Sequence, residues 1–315
     1  MLLKKYFLLI LLTNVLGSVP SFAQSNKQTL HQFFEEYCIK SYAFKPLDAT
    51  FDDVPGYNNA LPAEDEAFFE KKYRFYKNCA ARLERISLDS LNKEDAITVA
   101  IIKSDIAAVL ALSQHHPEYL SLNQYQSVPM FMAVLGSGSA AQPFLTLQDY
   151  ENWLQRSGAF VQWTNVAIEN LRKGLASGIV LPKALVLKIV PQLNALAKDD
   201  STSLFYNPIH QFPSTFTEQE KEYLRKAFIK KMPKYIFASM RKLATFLEIE
   251  YLPKARLSSG IDALPNGKQM YKDYIFSSIN FYMEPDSVFQ LGLREVNRIT
   301  ETMEAIKIKL DILEV

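Results

Sequence analysis

Thr217-Glu-Gln-Glu220-Lys-Glu-Tyr-Leu224-Arg-Lys-Ala-Phe228-Ile-Lys-Lys231-Met232 is the stretch that decides the fold. A threonine followed three residues later by a glutamate lets each side chain bond the other's backbone amide, which is the signature of a capped helix start. The helix behind it runs to about Glu250, and Pro233 bends it after a solvated Lys230-Lys231 pair. Working outward, the same helical spacing recurs nearly everywhere. Leu30, Phe33, Phe34 and Tyr37 form one stripe, with Thr29 and Gln32 placed for a capping box. Phe69, Tyr73, Tyr76, Ala80 and Leu83 form a second stripe after a Pro46–Pro62 connection. Asn92 with Asp95 caps a third helix through Ile97, Ala100, Ile101, Ala108 and Leu112.

Further along, Pro117, Pro129 and the Gly136-Ser-Gly138-Ser turn break continuity, leaving one short helix around Phe131–Leu135. Thr146-Leu-Gln-Asp149 opens a helix with Tyr150, Trp153 and Leu154, and a second is expected from about Ala159 to Ala176, burying Trp163, Val166 and Ile168. Pro182 suits the first residue of the next helix, which Pro191 ends or kinks. Only Ser203–Ile209 reads as a short extended segment. The final pattern, Val288, Gly292, Val296, Ile299, Met303, Ile306 and Leu310, stays helical without a Gly or Asn stop. The prediction is an all-α multi-helix bundle with little or no sheet, organised as residues 24–136 and 137–315 behind a leader.

Residues 1–23 read as a secretory signal, with Lys4 and Lys5 before an apolar run and Ser21-Phe-Ala23 as the cleavage site. The run is shorter than the roughly 20 residues a bilayer span needs. No Cys follows the cleavage site, so neither a lipid anchor nor another stable membrane anchor is expected after cleavage. The expected location is periplasmic or extracellular. Thirty-five basic and 34 acidic residues predict no nucleic-acid partner and no anionic membrane surface. The two cysteines, Cys38 and Cys79, either pair across a loop of about 40 residues or are buried free thiols, the reading favoured by their apolar helical neighbours.

Two further stretches carry a family resemblance: Tyr251-Leu-Pro-Lys-Ala-Arg256-Leu-Ser-Ser-Gly260-Ile-Asp-Ala-Leu-Pro-Asn-Gly267 and Leu291-Gly-Leu-Arg-Glu-Val296. Upstream, Pro143-Phe-Leu-Thr, Asp149-Tyr-Glu-Asn-Trp153-Leu and Asn170-Leu-Arg-Lys-Gly174-Leu-Ala-Ser-Gly178-Ile-Val-Leu-Pro182 follow the same order. Together they resemble the exported bacterial proteins of the domain-of-unknown-function 885 family, which look like zincin-type zinc peptidases. The resemblance implies that this chain is the helical, substrate-cleft half of such a hydrolase. The family's metal-binding His-Glu-x-x-Pro-Gly-His-His segment belongs to a C-terminal half, and the sequence to Val315 does not contain it. Zinc is therefore expected only in that other half, and whether this chain is an enzyme stays open. The resemblance also implies that loop 251–267 faces the substrate, with Tyr251, Arg256 and Gly260 as candidate peptide-binding residues and no metal ligand.

The residues themselves supply no competing catalytic motif. A gluzincin site needs two histidines at i and i+4 with a carboxylate beside the first. The four histidines include no such pair: His31 stands alone, His115-His116 is a solvated helix-end pair, and His210 lies in a Pro-flanked loop. Gly136-Ser-Gly-Ser139 has no predicted strand before it and no base nearby in sequence, so it reads as a flexible turn. Arg256 offers a planar fork for a carboxylate, or a local structural pair. A secreted peptide-binding or interaction protein without catalysis is the alternative function. Apolar helix faces left uncovered are expected to drive self-association.

Overall fold

The computed structural model describes residues 21–87 and 91–310; the expected leader lies outside them up to residue 20. The protein is built from helices: α1 Ser21–Ala43, α2 Pro46–Phe51, α3 Glu66–Leu83, α4 Lys93–Ser113, α5 Val128–Gly136, α6 Leu147–Ser177, α7 Lys183–Leu196, a single turn α8 Asn207–His210, α9 Glu218–Met232, α10 Ala238–Phe246, α11 Gly267–Ile279 and α12 Pro285–Lys309. Extended pairing among the described residues is limited to one isolated parallel bridge, Pro182 with Arg256. The all-α reading holds.

Local signals set most helix starts. Thr217 and Glu220 form the reciprocal capping box, the Thr217 amide donating to Glu220 Oε2 at 2.8 Å. Thr146 and Asp149 form another at α6, and Asn92 accepts from the Asp95 amide at 2.9 Å. Thr29, expected at a helix start, lies inside α1, which runs through it from Ser21. The helix after Thr217 continues to Tyr251 through two π-helical turns, Pro233–Phe237 and Leu247–Tyr251. A proline that removes a helical amide is accommodated here by a wider turn. Pro182 sits one place earlier than expected, as the N-cap of α7, and Pro191 lies inside that helix without ending it. Ser203–Ile209 is a 3-10 turn followed by α8, since Pro208 favours a helical start over strand pairing. The two helices expected between residues 146 and 177 are one, and the backbone at Gly158 leaves room for the Tyr235 ring. Gly178 ends α6 at φ 76°, a left-handed stop that only glycine adopts freely.

Two apolar cores result. The smaller joins α1, α3 and α4 through Leu30, Phe33, Tyr37, Tyr76, Leu83 and Val99. The larger surrounds α6 with Trp153, Phe160, Trp163, Phe205, Phe237 and Tyr251. Leu122, Met132 and Leu135 join it from before residue 137, so both predicted regions share this core. On α4 the buried face is Val99, Ile102 and Ile106, not the expected Ile97 and Ile101, which are exposed. By length and composition alone, α4 is long and apolar enough to cross a membrane; here it packs against α3 and α11.

The Pro46–Pro62 connection is fastened from α6. Arg156, with no exposed surface, donates to the Ala60 carbonyl at 3.0 Å, Gln142 Oε1 at 2.6 Å, Thr50 Oγ1 at 2.7 Å and the Tyr57 carbonyl at 2.6 Å. Seven residues on, Trp163 Nε1 donates to Glu64 Oε2 at 2.7 Å. Seven further, Asn170 Nδ2 donates to the Glu64 carbonyl at 2.8 Å. Asn59 and Gln155 add an exposed contact at 3.2 Å.

Cys79 is buried and Cys38 is exposed, both free. Cys38 was expected inside; it lies on α1 beside buried Tyr37, one residue off the core-facing stripe. Burial also pushes the Cys79 thiol up, which slows alkylation further. Titration with a thiol reagent should label about one thiol per native chain and the second only after denaturation, without reductant. Labelling of both in the native state would contradict this packing. A second expectation concerns Arg156→Lys, which keeps the charge but cannot reach four acceptors. It should lower stability by about 3 kcal/mol, since each buried acceptor left unpaired costs about 1–3 kcal/mol. Urea unfolding checks this, and a loss under about 1 kcal/mol would show the cage to be dispensable.

Candidate functional site

Loop 251–267 is braced from within. The Tyr251 ring is fully buried and its hydroxyl accepts the Leu181 amide at 2.8 Å. Arg256 Nε donates to the Val180 carbonyl at 2.9 Å, and Nη1 donates to the Ser258 and Gly260 carbonyls at 2.7 and 2.6 Å. Its backbone pairs with Leu181 and Lys183 across the isolated bridge. Gly260 has φ −65°, a conformation open to any residue, and contributes its carbonyl to this clamp. The structure therefore brings the three predicted residues together, but in a brace rather than a receptor. With Nε and Nη1 committed to backbone carbonyls, the guanidinium keeps no pair of free nitrogens for bidentate hold of a peptide carboxylate. The geometry supports the structural role for Arg256.

The histidines disperse. His31 pairs with Asp95 at 3.0 Å, and exposed His116, at φ 48°, pairs with Glu118 at 2.9 Å and stacks on Tyr119. His115 is not solvated: its side chain is 4% exposed and meets Asp273 at 2.6 Å, because α11 packs over the end of α4. Among the described residues no three His, Cys, Asp or Glu side chains gather as metal ligands. The zinc implied by the resemblance has no fitting donor set in this part of the molecule.

Two clefts bring chemistry-bearing side chains together. One, of about 760 Å³, places Ser137, Ser139, Asn207 and His210 beside Phe144 and Phe212. Proximity of a histidine to this Gly-Ser turn was invisible in sequence. The Ser137 hydroxyl, however, donates to the Val134 carbonyl at 2.7 Å rather than to His210, which is not the arrangement of a nucleophile and its base.

The second cleft, about 350 Å³, lies where the 46–64 connection meets α3 and the 3-10 turn Pro117–Leu120. Lys45, Asp48, Glu64, Lys72, Glu118 and Ser121 supply its polar wall. Glu64 is held at φ 54°, uncommon for a residue with a side chain, by the Trp163 and Asn170 bonds. Burial pushes its carboxyl up, against the opposing pull of the Trp163 donor and of Lys72. Burial pulls the Lys72 ammonium down, and the like charge of Lys45 adds to the effect. The Lys72 ammonium lies 5.9 Å from the centroid of the Phe69 ring, and Glu64, Asp48 and Glu118 partly offset the loss by favouring its charge. The Ser121 hydroxyl is buried without a partner. Opposed charges with displaced pKa values inside one concavity mark a functional-site candidate. Sequence reading missed it because its members come from four separate stretches of the chain.

Glu64 also yields a pH test. A carboxyl whose folded pKa is raised above its ordinary 4.5 binds more protons folded than unfolded in the interval between the two values. Its contribution to stability is therefore full below about 4.5 and is lost as pH rises through the folded value. Stability of the native protein relative to Glu64→Gln should fall as pH rises above about 4.5 and then level off. A flat difference across denaturation curves from pH 4 to 8 would show that burial does not penalise Glu64.

Comparison with known proteins places this architecture. No curated protein gives a significant match. Among solved structures, "the putative lipoprotein from Colwellia psychrerythraea" superposes with a TM-score of 0.71 at 19% identity, covering 92% of this chain and 52% of that one. At that identity the likeness is one of fold, and this chain spans about half the length of that structure. The model of a family described as bacterial protein of unknown function (DUF885) matches residues 46–314, from the cleft-lining connection to the last helix, and the chain belongs to that family.

Proposed function

We propose that this chain is the substrate-handling helical half of an exported, zinc-dependent peptidase-like hydrolase, catalytically silent by itself. The observation that carries this reading is α12. Phe289, Val296, Ile299, Met303 and Ile306 line this 25-residue helix, each between 47 and 63% exposed, and none of its residues is buried. An amphipathic helix normally buries such a stripe, and a contiguous patch of this kind marks an interaction surface. Exposed Ile97 and Ile101 on α4 add a second patch. The half-length coverage of the solved relative fits a partner segment that would cover these faces. Export is inferred from the leader-like residues 1–23 and accords with the lipoprotein description of that relative. A peptide-binding or interaction protein without catalysis is the alternative.

Two measurements test this reading. With zinc added, the purified chain should hydrolyse no peptide in a mixed-sequence library; hydrolysis abolished by a chelator would overturn the silent-half reading. At micromolar concentration the chain should self-associate on sizing, and Val296→Glu with Met303→Glu should shift it to monomer. A wild-type chain as monodisperse as that double variant would remove α12 as an interface.

A further inference from the structure

We propose that α12 pairs with α12 of a second copy of this chain as an antiparallel, two-stranded coiled coil. The inference rests on the reading of α12 as an interface given above, and not on the hydrolase assignment. Phe289, Gly292, Val296, Ile299, Met303, Ile306 and Leu310 follow one another at alternating steps of three and four residues. That is the a and d spacing of a heptad, sustained over three repeats, and it makes a seam one helix wide. Val288 and Leu293 flank the seam, while Leu291 and Ile308 lie off it. The opposite face carries exposed Arg294, Glu301 and Glu304, charges of both signs that suit water rather than a second apolar layer. No residue of the helix is buried, and nothing lies within 4 Å of where a side chain at Gly292 would start, so the seam is open along its length.

Volumes and charges along the seam select its partner and its direction. In an antiparallel pair with Val296 opposite Ile299 of the second copy, the two 25-residue helices overlap from end to end. That register sets Phe289 against Ile306, and Gly292 against the second copy's Met303, so the smallest seam residue meets the most adaptable one. It also sets Asp286, in the first turn, beside Lys307 of the second copy, in the last turn. Two-fold symmetry makes that ion pair twice. Within one chain Lys307 lies 3.7 Å from Glu304, an exposed contact of little weight that does not prevent the second. A parallel pair stacks Gly292 on Gly292, which leaves a void. It also brings Glu295 to Thr300 and Thr302 to Lys307, so no opposite charges meet. Each body is fastened at the start of α12, where Lys272 reaches Glu284 at 2.7 Å. Antiparallel pairing therefore holds the two bodies at opposite ends of a rod about 37 Å long. A seam that complements itself at both ends at once is what an isologous contact between two copies requires.

Sedimentation equilibrium of the full chain, with circular dichroism to show that helicity is kept, tests the proposal. Asp286→Lys should weaken dimerisation about tenfold, because two attractions become two repulsions. Adding Lys307→Asp should restore it. The exchanged charges oppose the dipole of α12, so recovery reports contact between copies and not a better helix. In a Cys38→Ser background, mild oxidation of mixed Phe289→Cys and Ile306→Cys chains should yield a crosslinked heterodimer, and neither chain alone should crosslink. Phe289→Cys crosslinking to itself would show a parallel pair and overturn the proposal while leaving α12 an interface. A dimer indifferent to Asp286→Lys, or weakened without recovery in the double variant at unchanged helicity, would overturn it in the same way. A chain that stays monomeric at every concentration would overturn both the pairing and the interface reading, and would leave the stripe to a different polypeptide. Peptide hydrolysis bears on none of these outcomes.

Discussion

Arg156 carries a full charge into the interior of this protein with no carboxylate to meet it, and the connection that shapes the candidate cleft depends on how that charge is satisfied. Its four hydrogen bonds end on neutral oxygens: two backbone carbonyls, a side-chain amide and a hydroxyl. Burial pulls its pKa down to about 10, so the group stays protonated at neutral pH. Placing an ion in a dry site costs several kcal/mol unless its donors are saturated. Saturation here requires the Thr50–Ala60 backbone to wrap the guanidinium. The cost of desolvating Arg156 thereby selects one path for a connection that apolar packing alone would leave loosely specified.

The same face of α6 continues the arrangement. Arg156, Trp163 and Asn170 are spaced by seven, nearly two helical turns, so they form one slowly drifting row. Each ends on the segment from Thr50 to Glu64. The last two hold Glu64 from both sides, by its carboxylate and by its carbonyl. A left-handed backbone at a glutamate costs on the order of 1–3 kcal/mol and persists only where the surroundings over-determine it. The row thus delivers to the cleft a residue that is both strained and desolvated, which is a combination local sequence preference would never choose.

How much of this was legible follows from the range of each interaction. Capping at Asn92, Thr146 and Thr217 is settled within three residues, and those starts were read correctly. Gly178 stops α6 by its own backbone freedom. By contrast, Arg156 meets Thr50 and Ala60 across about a hundred residues, and in sequence it was one basic residue between Gln155 and Ser157. The seven-residue spacing was a usable signal, but only to a reader who asked what three donors on one helical face might share. His115 misled for the same reason: helix-end position suggests solvent, while α11 and Asp273, 158 residues on, remove it. On α4 the apolar residues surround the helix, so periodicity could not say that Val99 faces inward and Ile97 outward.

The candidate interface on α12 is presented by polar fastening rather than by apolar contact. Asp273 on α11 receives His115 at 2.6 Å, Gln269 at 3.0 Å and the Tyr282 hydroxyl at 3.2 Å, and Lys272 reaches Glu284 at the α12 N-cap at 2.7 Å. These bonds anchor the start of α12 to the body and leave its stripe unused. Local support within α12 is slight: pairs such as Arg298 with Glu295 contribute only about 0.2–0.5 kcal/mol each. Since the apolar face does nothing for the fold of the chain alone, its burial on a partner is almost wholly available to association. Covering the exposed half of five such side chains is worth on the order of 5 kcal/mol, comparable to the lower range of the rigid-body cost of binding. An exposed stripe on a fastened helix is therefore a surface whose burial would favour association without cost to the fold of the chain.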